Sequence, residues 1–90
     1  MFIEINFTSG LPVDRDDIED ALQELDAFEV VGAGVGELGT NLDVEVVLPI
    51  SRDEALKLVA ELLHRFGVAT MACLQVSDPR TRIEVVDLLG

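Results

Sequence analysis

Tryptophan and tyrosine are absent from this 90-residue chain, and cysteine and histidine occur once each. The lone Cys73 excludes an intrachain disulfide and any multi-cysteine metal site. Flanked by Ala72 and Leu74, it reads as a small core residue. With His64 the only histidine, a zinc centre lacks ligands. No nucleophile, base and orienting acid share a local context, because Ser9, Ser51 and Ser77 fall in turns or caps. The chain is therefore read as non-enzymatic, with neither metal nor cofactor. Without the larger rings, Phe2, Phe7, Phe28 and Phe66 are the bulky members expected in a core rich in Val and Leu.

Positive charge is scarce as well: six basic residues stand against 18 acidic ones, a net charge of −12. Phosphate binding needs clustered Lys and Arg, so nucleic acid and anionic lipid are excluded as partners, and a basic protein partner is favoured. No apolar run approaches the roughly 20 residues of a membrane span. The opening "MFIEINF" lacks the basic region of a secretory signal and carries Glu4 inside its apolar run, which points to a soluble, cytoplasmic chain. An apolar fraction of 49% is ample for a core, and residues 1–90 are read as a single domain.

Periodicity organises what is there. Ile3, Ile5 and Phe7 alternate with Glu4, Asn6 and Thr8, the pattern of a half-buried strand, and "SGLP" breaks it. Ile18, Ala21, Leu22, Leu25 and Phe28 then recur at helical spacing, predicting a first helix over 14–28 with Asp14, Asp16 and Asp17 at its dipole-favoured start. From Leu42 the period returns to two and Pro49 ends the strand. Ser51 and Glu54 form an S-x-x-E capping box for a second helix lined by Ala55, Val59, Leu62, Leu63 and Phe66 and broadened by Leu56 and Leu58, with Gly67 as its stop. "VATMACLQV" reads as the next strand, and "TRIEVVDLLG" as a further strand or an extended arm. This order predicts an α+β, ferredoxin-like βαββαβ sandwich: an antiparallel sheet ordered 4-1-3-2, both helices on one face, and an extra C-terminal strand beside strand four.

The stretch "VVGAGVGELG", residues 30–39, spells GxGxxG from Gly34 to Gly39. A dinucleotide fingerprint needs a helix opening inside the motif to offer its amides to the pyrophosphate. Here the alternating "TNLDVEVVL" follows instead, so a hairpin replaces the nucleotide reading. Gly32, Gly34 and Gly36 then share one face of an edge strand, Val31, Ala33 and Val35 the other, the latter turned to the helices; Gly39, Thr40 and Asn41 make the turn. A glycine-lined edge implies a bulge or strong twist, or the close approach of a ligand or second chain.

Two acidic groups are candidates for binding. On the sheet face away from the helices, Glu4, Asp43 and Glu45 join the glycines as a ligand or oligomer edge, with Glu4 and Glu45 expected close together; solvated surface carboxylates are the simpler account. Between Asp14 and Glu29 there are eight acidic residues and one basic one, Arg15. An EF-hand does not fit, since Ile18 falls at a ligand position and the required glycine is missing. Asp16, Asp17, Asp20 and Glu24 are instead read as a docking surface for a basic protein, or as a plain solvated face.

The whole-chain pattern resembles ACT-type regulatory domains, a resemblance that implies dimerisation and small-ligand binding. In "TSGLPVD" Gly10 and Pro12 stand in a different order from that family's signature loop, so its ligand specificity does not carry over. In size and acidity the chain also resembles the immunity proteins of bacterial toxin systems, which implies stoichiometric capture of a basic toxin. "VVGAGVGELGTNLDVEVV" is similar to a Gly-rich hairpin of small, uncharacterised bacterial ferredoxin-like proteins, which implies no activity. The leading expectation is an acidic protein-binding module of immunity type; the alternative is a small-ligand-binding or homodimerising domain.

Overall fold

Alternation in "FIEINFT" builds the central strand β1, Phe2–Thr8: Ile3, Ile5 and Phe7 are buried, and their neighbours point the other way. The computed structural model describes residues 1–8, 12–36, 39–77 and 80–89. After β1 come α1 (Arg15–Glu24), β2 (Phe28–Gly36), β3 (Gly39–Val46), α2 (Arg52–Arg65), a 3-10 turn (Ala69–Met71), β4 (Ala72–Ser77), β5 (Arg80–Glu84) and α3 (Val85–Leu89). The strands form one antiparallel sheet in the order β2-β3-β1-β4-β5. Inward residues of the strands, among them Ile5, Leu42, Val44 and Leu74, share one core cluster with Ile18 and Leu22 of α1 and Val59, Leu62 and Leu63 of α2. Both main helices thus cover a single face, and the chain is an α+β, ferredoxin-like sandwich with a fifth strand beside β4. The breaks at residues 9–11 and 78–79 lie outside the described residues.

Local signals set the second helix. The Glu54 amide donates to Ser51 Oγ at 3.1 Å, the capping contact that S-x-x-E announces. At the other end Gly67 takes φ +74°, its amide donates to the His64 carbonyl at 3.0 Å, and the Val68 amide donates to Leu63 at 3.1 Å. That pair of bonds is a Schellman motif, with buried Val68 supplying its apolar contact. A Cβ at Gly67 meets nothing within 4 Å, so Gly67→Ala carries only the left-handed backbone cost. Urea unfolding should show a loss of about 1 kcal/mol with an unchanged m-value.

Several boundaries differ from the sequence reading. The first helix stops at Glu24 rather than residue 28, because Leu25 is extended (φ −83°, ψ 121°) and Phe28 pairs with Val46 as the first residue of β2. Phe28 is buried, but from the sheet; its helical spacing from Leu25 was coincidental. Phe2 is 50% exposed rather than core, since the alternation that buries Ile3 turns it outward, and Leu58 is exposed rather than part of the α2 stripe. Residues 69–71 form a 3-10 turn, so β4 begins only at Ala72. The tail is strand and then helix: Val85, Leu88 and Leu89, spaced three and four apart, turn toward the core, while Val86 and Asp87 are exposed.

Candidate functional site: helix α1 and the open sheet face

Antiparallel pairing of β2 with β3 disposes of the nucleotide signature. Gly34 and Gly36 lie in β2 and Gly39 opens β3, so no helix begins inside the motif. Gly36 pairs with Gly39, and only residues 37 and 38, outside the described set, separate them. Thr40 and Asn41, expected in the turn, are strand residues opposite Phe7 and Asn6.

The glycine face is not bare. A Cβ on Gly32 would come 3.0 Å from Asp43 Oδ2, and one on Gly34 would come 2.8 Å from Asn41 Oδ1. The side chains of β3 therefore lean across β2 into the space the glycines leave, and Asn41 Nδ2 donates to Asp43 Oδ1 at 3.4 Å. A β-bulge between Val30 and Gly32 changes the phase of the strand. Val30 faces Val44 on the helix side, while Val31, the extra residue, is 49% exposed and joins Phe2, Glu4 and Asp43 on the open face. The expectation that Val31 would be buried under the helices fails for this reason; Ala33 stands opposite buried Leu42 on the helix side, as expected, but is exposed at the edge of the sheet.

Register places the sheet carboxylates. Glu4 stands directly opposite Asp43, with Gln75 on its other side, and Glu45 is a diagonal neighbour rather than its partner. Glu45 instead stands opposite Glu29 and Phe2. Two like-charged cross-strand pairs thus lie on one face, an unfavourable arrangement in the free protein. Among the described residues the one ion pair is Arg82 Nη2 to Glu84 Oε1 at 3.6 Å, well exposed, and none reaches Glu4, Glu29, Asp43 or Glu45.

Two concavities open on this face. One, of about 560 Å³, is of mixed character, with Asn6, Asn41, Gln75 and Arg82 beside Phe7, Met71 and Ala72 in its lining. The other, of about 570 Å³, runs between Phe2 and Val31 over Glu4 and Asp43. Cys73 is buried, as its flanks suggested, but it lies opposite Asn6 beneath the open face and outside the helix-side cluster. Sequence reasoning missed Phe2, Gln75 and Arg82 here, although alternation in "ACLQV" and "RTRIE" carries the signal; Val31 had none, because a bulge is invisible without the partner strand.

Helix α1 buries Ile18 and Leu22 and leaves Asp16, Asp17, Asp20 and Glu24 exposed on its outer side. Its one cation is spent elsewhere. Arg15, at the helix start where the dipole disfavours it, donates from Nη1 to the Gly34 carbonyl at 2.9 Å. That bond ties α1 to β2 and leaves the four carboxylates without a salt bridge among the described residues. His64 is exposed in the last turn of α2. Among the described residues no group of three or more His, Cys, Asp or Glu is placed to hold a metal ion, and no helix is long and apolar enough to cross a membrane. Compared with protein-family models, curated proteins and solved structures, the chain finds no match.

Proposed function

We propose that this chain is a non-enzymatic acidic module that captures a basic protein in the cytoplasm, in the manner of an immunity-type inhibitor of a basic toxin. One observation carries the reading: Arg15 is committed to the Gly34 carbonyl, so Asp16, Asp17, Asp20 and Glu24 face solvent with no salt bridge among the described residues. Uncompensated carboxylates on a rigid helix attract a cationic surface and orient its approach. They contribute little to the fold, because the helix is held by Ile18 and Leu22 on its other side.

Reversing the four carboxylates to lysine should leave the circular dichroism spectrum unchanged and weaken capture of a basic partner by at least about tenfold. Wild-type capture should also fall steeply as salt is raised, since the Debye length shrinks to about 3 Å at 1 M. Pull-down from the host at low and high salt, with both proteins as bait, reads the two effects. A partner retained equally by the reversed helix at both salts would refute the assignment.

A second reading is favoured by the concavity that Asn6, Asn41 and Gln75 line together with Phe7 and Met71: a small-ligand-binding or homodimerising domain. A recess with apolar lining and a few polar groups is the kind of site that takes a small ligand. Sedimentation of the free protein separates the homodimer from both monomeric readings.

A further inference from the structure

We infer that the groove between Phe2 and Val31 receives a lysine or arginine side chain presented by an extended segment of the basic partner. The inference rests on the basic-partner reading and adds to it a specific point of contact on the open sheet face. The groove has the two features that a long cationic side chain needs. Its walls are apolar, formed by Phe2 and Val31, each about half exposed although large and hydrophobic. Its polar groups are the carboxylates of Glu4 and Asp43, held opposite one another by the β1–β3 register, and the amide of Gln75 on the other side of Glu4. Lys and Arg carry an aliphatic stem ending in a charge, so the stem lies along the walls while the cation meets the carboxylates. The ring of Phe2 adds a face on which a cation is attracted.

Charge decides the occupant. Glu4 opposes Asp43 and Glu29 opposes Glu45, and no described cation pairs with any of them. An incoming positive charge relieves repulsion that the free protein carries. A second copy of this chain, with net charge −12, would bring the same carboxylates against themselves. The bulge strengthens the case, because it turns Val31 out of the helix-facing phase and onto the groove. The acidic helix lies against β2 on the opposite face of the sheet, so the groove is a contact separate from it.

The test is a titration of the full, nitrogen-15-labelled chain with an alternating Lys-Val hexapeptide, followed by amide chemical shifts, with an alternating Gln-Val hexapeptide as control. The proposal expects shifts centred on Glu4, Val31 and Asp43, their loss at high salt, and no binding of the neutral peptide. Glu4→Gln with Asp43→Asn should weaken the Lys-Val peptide by about tenfold. Both replacements keep the shape of the side chains, exposed at Glu4 and half-buried at Asp43, and the amide spectrum of the variant verifies its fold. Shifts confined to residues 16–24 would overturn the groove while leaving the basic-partner reading in place. Shifts at neither surface would overturn both. Equal binding of the neutral peptide, or an unchanged affinity in the double variant, would overturn the groove. Concentration-dependent shifts at Phe2 and Val31 without peptide would give the face to a second copy and likewise overturn it.

Discussion

Gly39→Ala should destabilise the protein by about 3 kcal/mol or more, a large share of the ~5–15 kcal/mol that holds a domain of this kind together. Gly39 has φ +148°, a conformation side chains rarely adopt, and a Cβ there would run into the backbone carbonyl of Phe7. That obstacle belongs to β1, the middle strand of the sheet, paired on both sides. A flexible side chain could swing aside; this carbonyl can move only if β1 moves against β3. Gly39 also closes two ladders at once, opposite Thr8 of β1 and Gly36 of β2. The comparison with Gly67 is informative, because there the backbone is left-handed in open space. Unfolding free energies of the two alanine variants in urea should differ by about 2 kcal/mol. If Gly39→Ala lost no more than Gly67→Ala, the close approach to Phe7 would be wrong.

Ile5→Ala should cost about 3–4 kcal/mol. Ile5 is fully buried in the central strand, with Leu42 opposite it on one side and Leu74 on the other, both fully buried themselves. Neighbours on a paired sheet have fixed backbones, so they cannot close over the missing carbons, and the cavity adds to the lost transfer energy. One position along the same strand, Glu4→Gln should change stability by less than about 0.5 kcal/mol, since that side chain faces solvent. Equal losses at the two positions would contradict the division of the sheet into a helix-covered face and an open one.

That division was legible beforehand wherever one element supplied its own evidence. Alternation in β1 separates Ile3, Ile5 and Phe7 from Glu4, Asn6 and Thr8 without reference to any other strand. Ser51, Glu54 and Gly67 marked both ends of α2, because caps are made by residues adjacent to the helix they close. The order of strands and helices then left few ways to bury two apolar helix faces against one sheet, and the strand order follows from that restriction.

The candidate site was less legible, for reasons that differ by residue. Asp16, Asp17, Asp20 and Glu24 could be placed on the outside of α1 from helical spacing alone. That they have no salt bridge among the described residues depends on where Arg15 reaches, nineteen positions along the chain to Gly34. Glu4 and Asp43 could be assigned to one face, but their direct opposition is a matter of register, and the sequence reading paired Glu4 with Glu45 instead. Phe28 satisfied a helical spacing and became a strand residue, since pairing with Val46 outweighs a weak local preference.

By itself, then, the sequence determined the five strands and two main helices, the amphipathic faces of β1 and α2, the caps of α2 and the strong negative charge, all properties carried by residues within a few positions of one another. Only the tertiary structure decided the bulge at Val31, the packing of Asn41 and Asp43 over the glycines, the opposition of Glu4 with Asp43 and the binding of Arg15 to Gly34. These depend on how one strand slides against the next. Side-chain direction in a strand alternates with every residue, so a single extra residue exchanges inside for outside. What lies on each face of this sheet is therefore a property of paired strands, and no single stretch of the chain contains it.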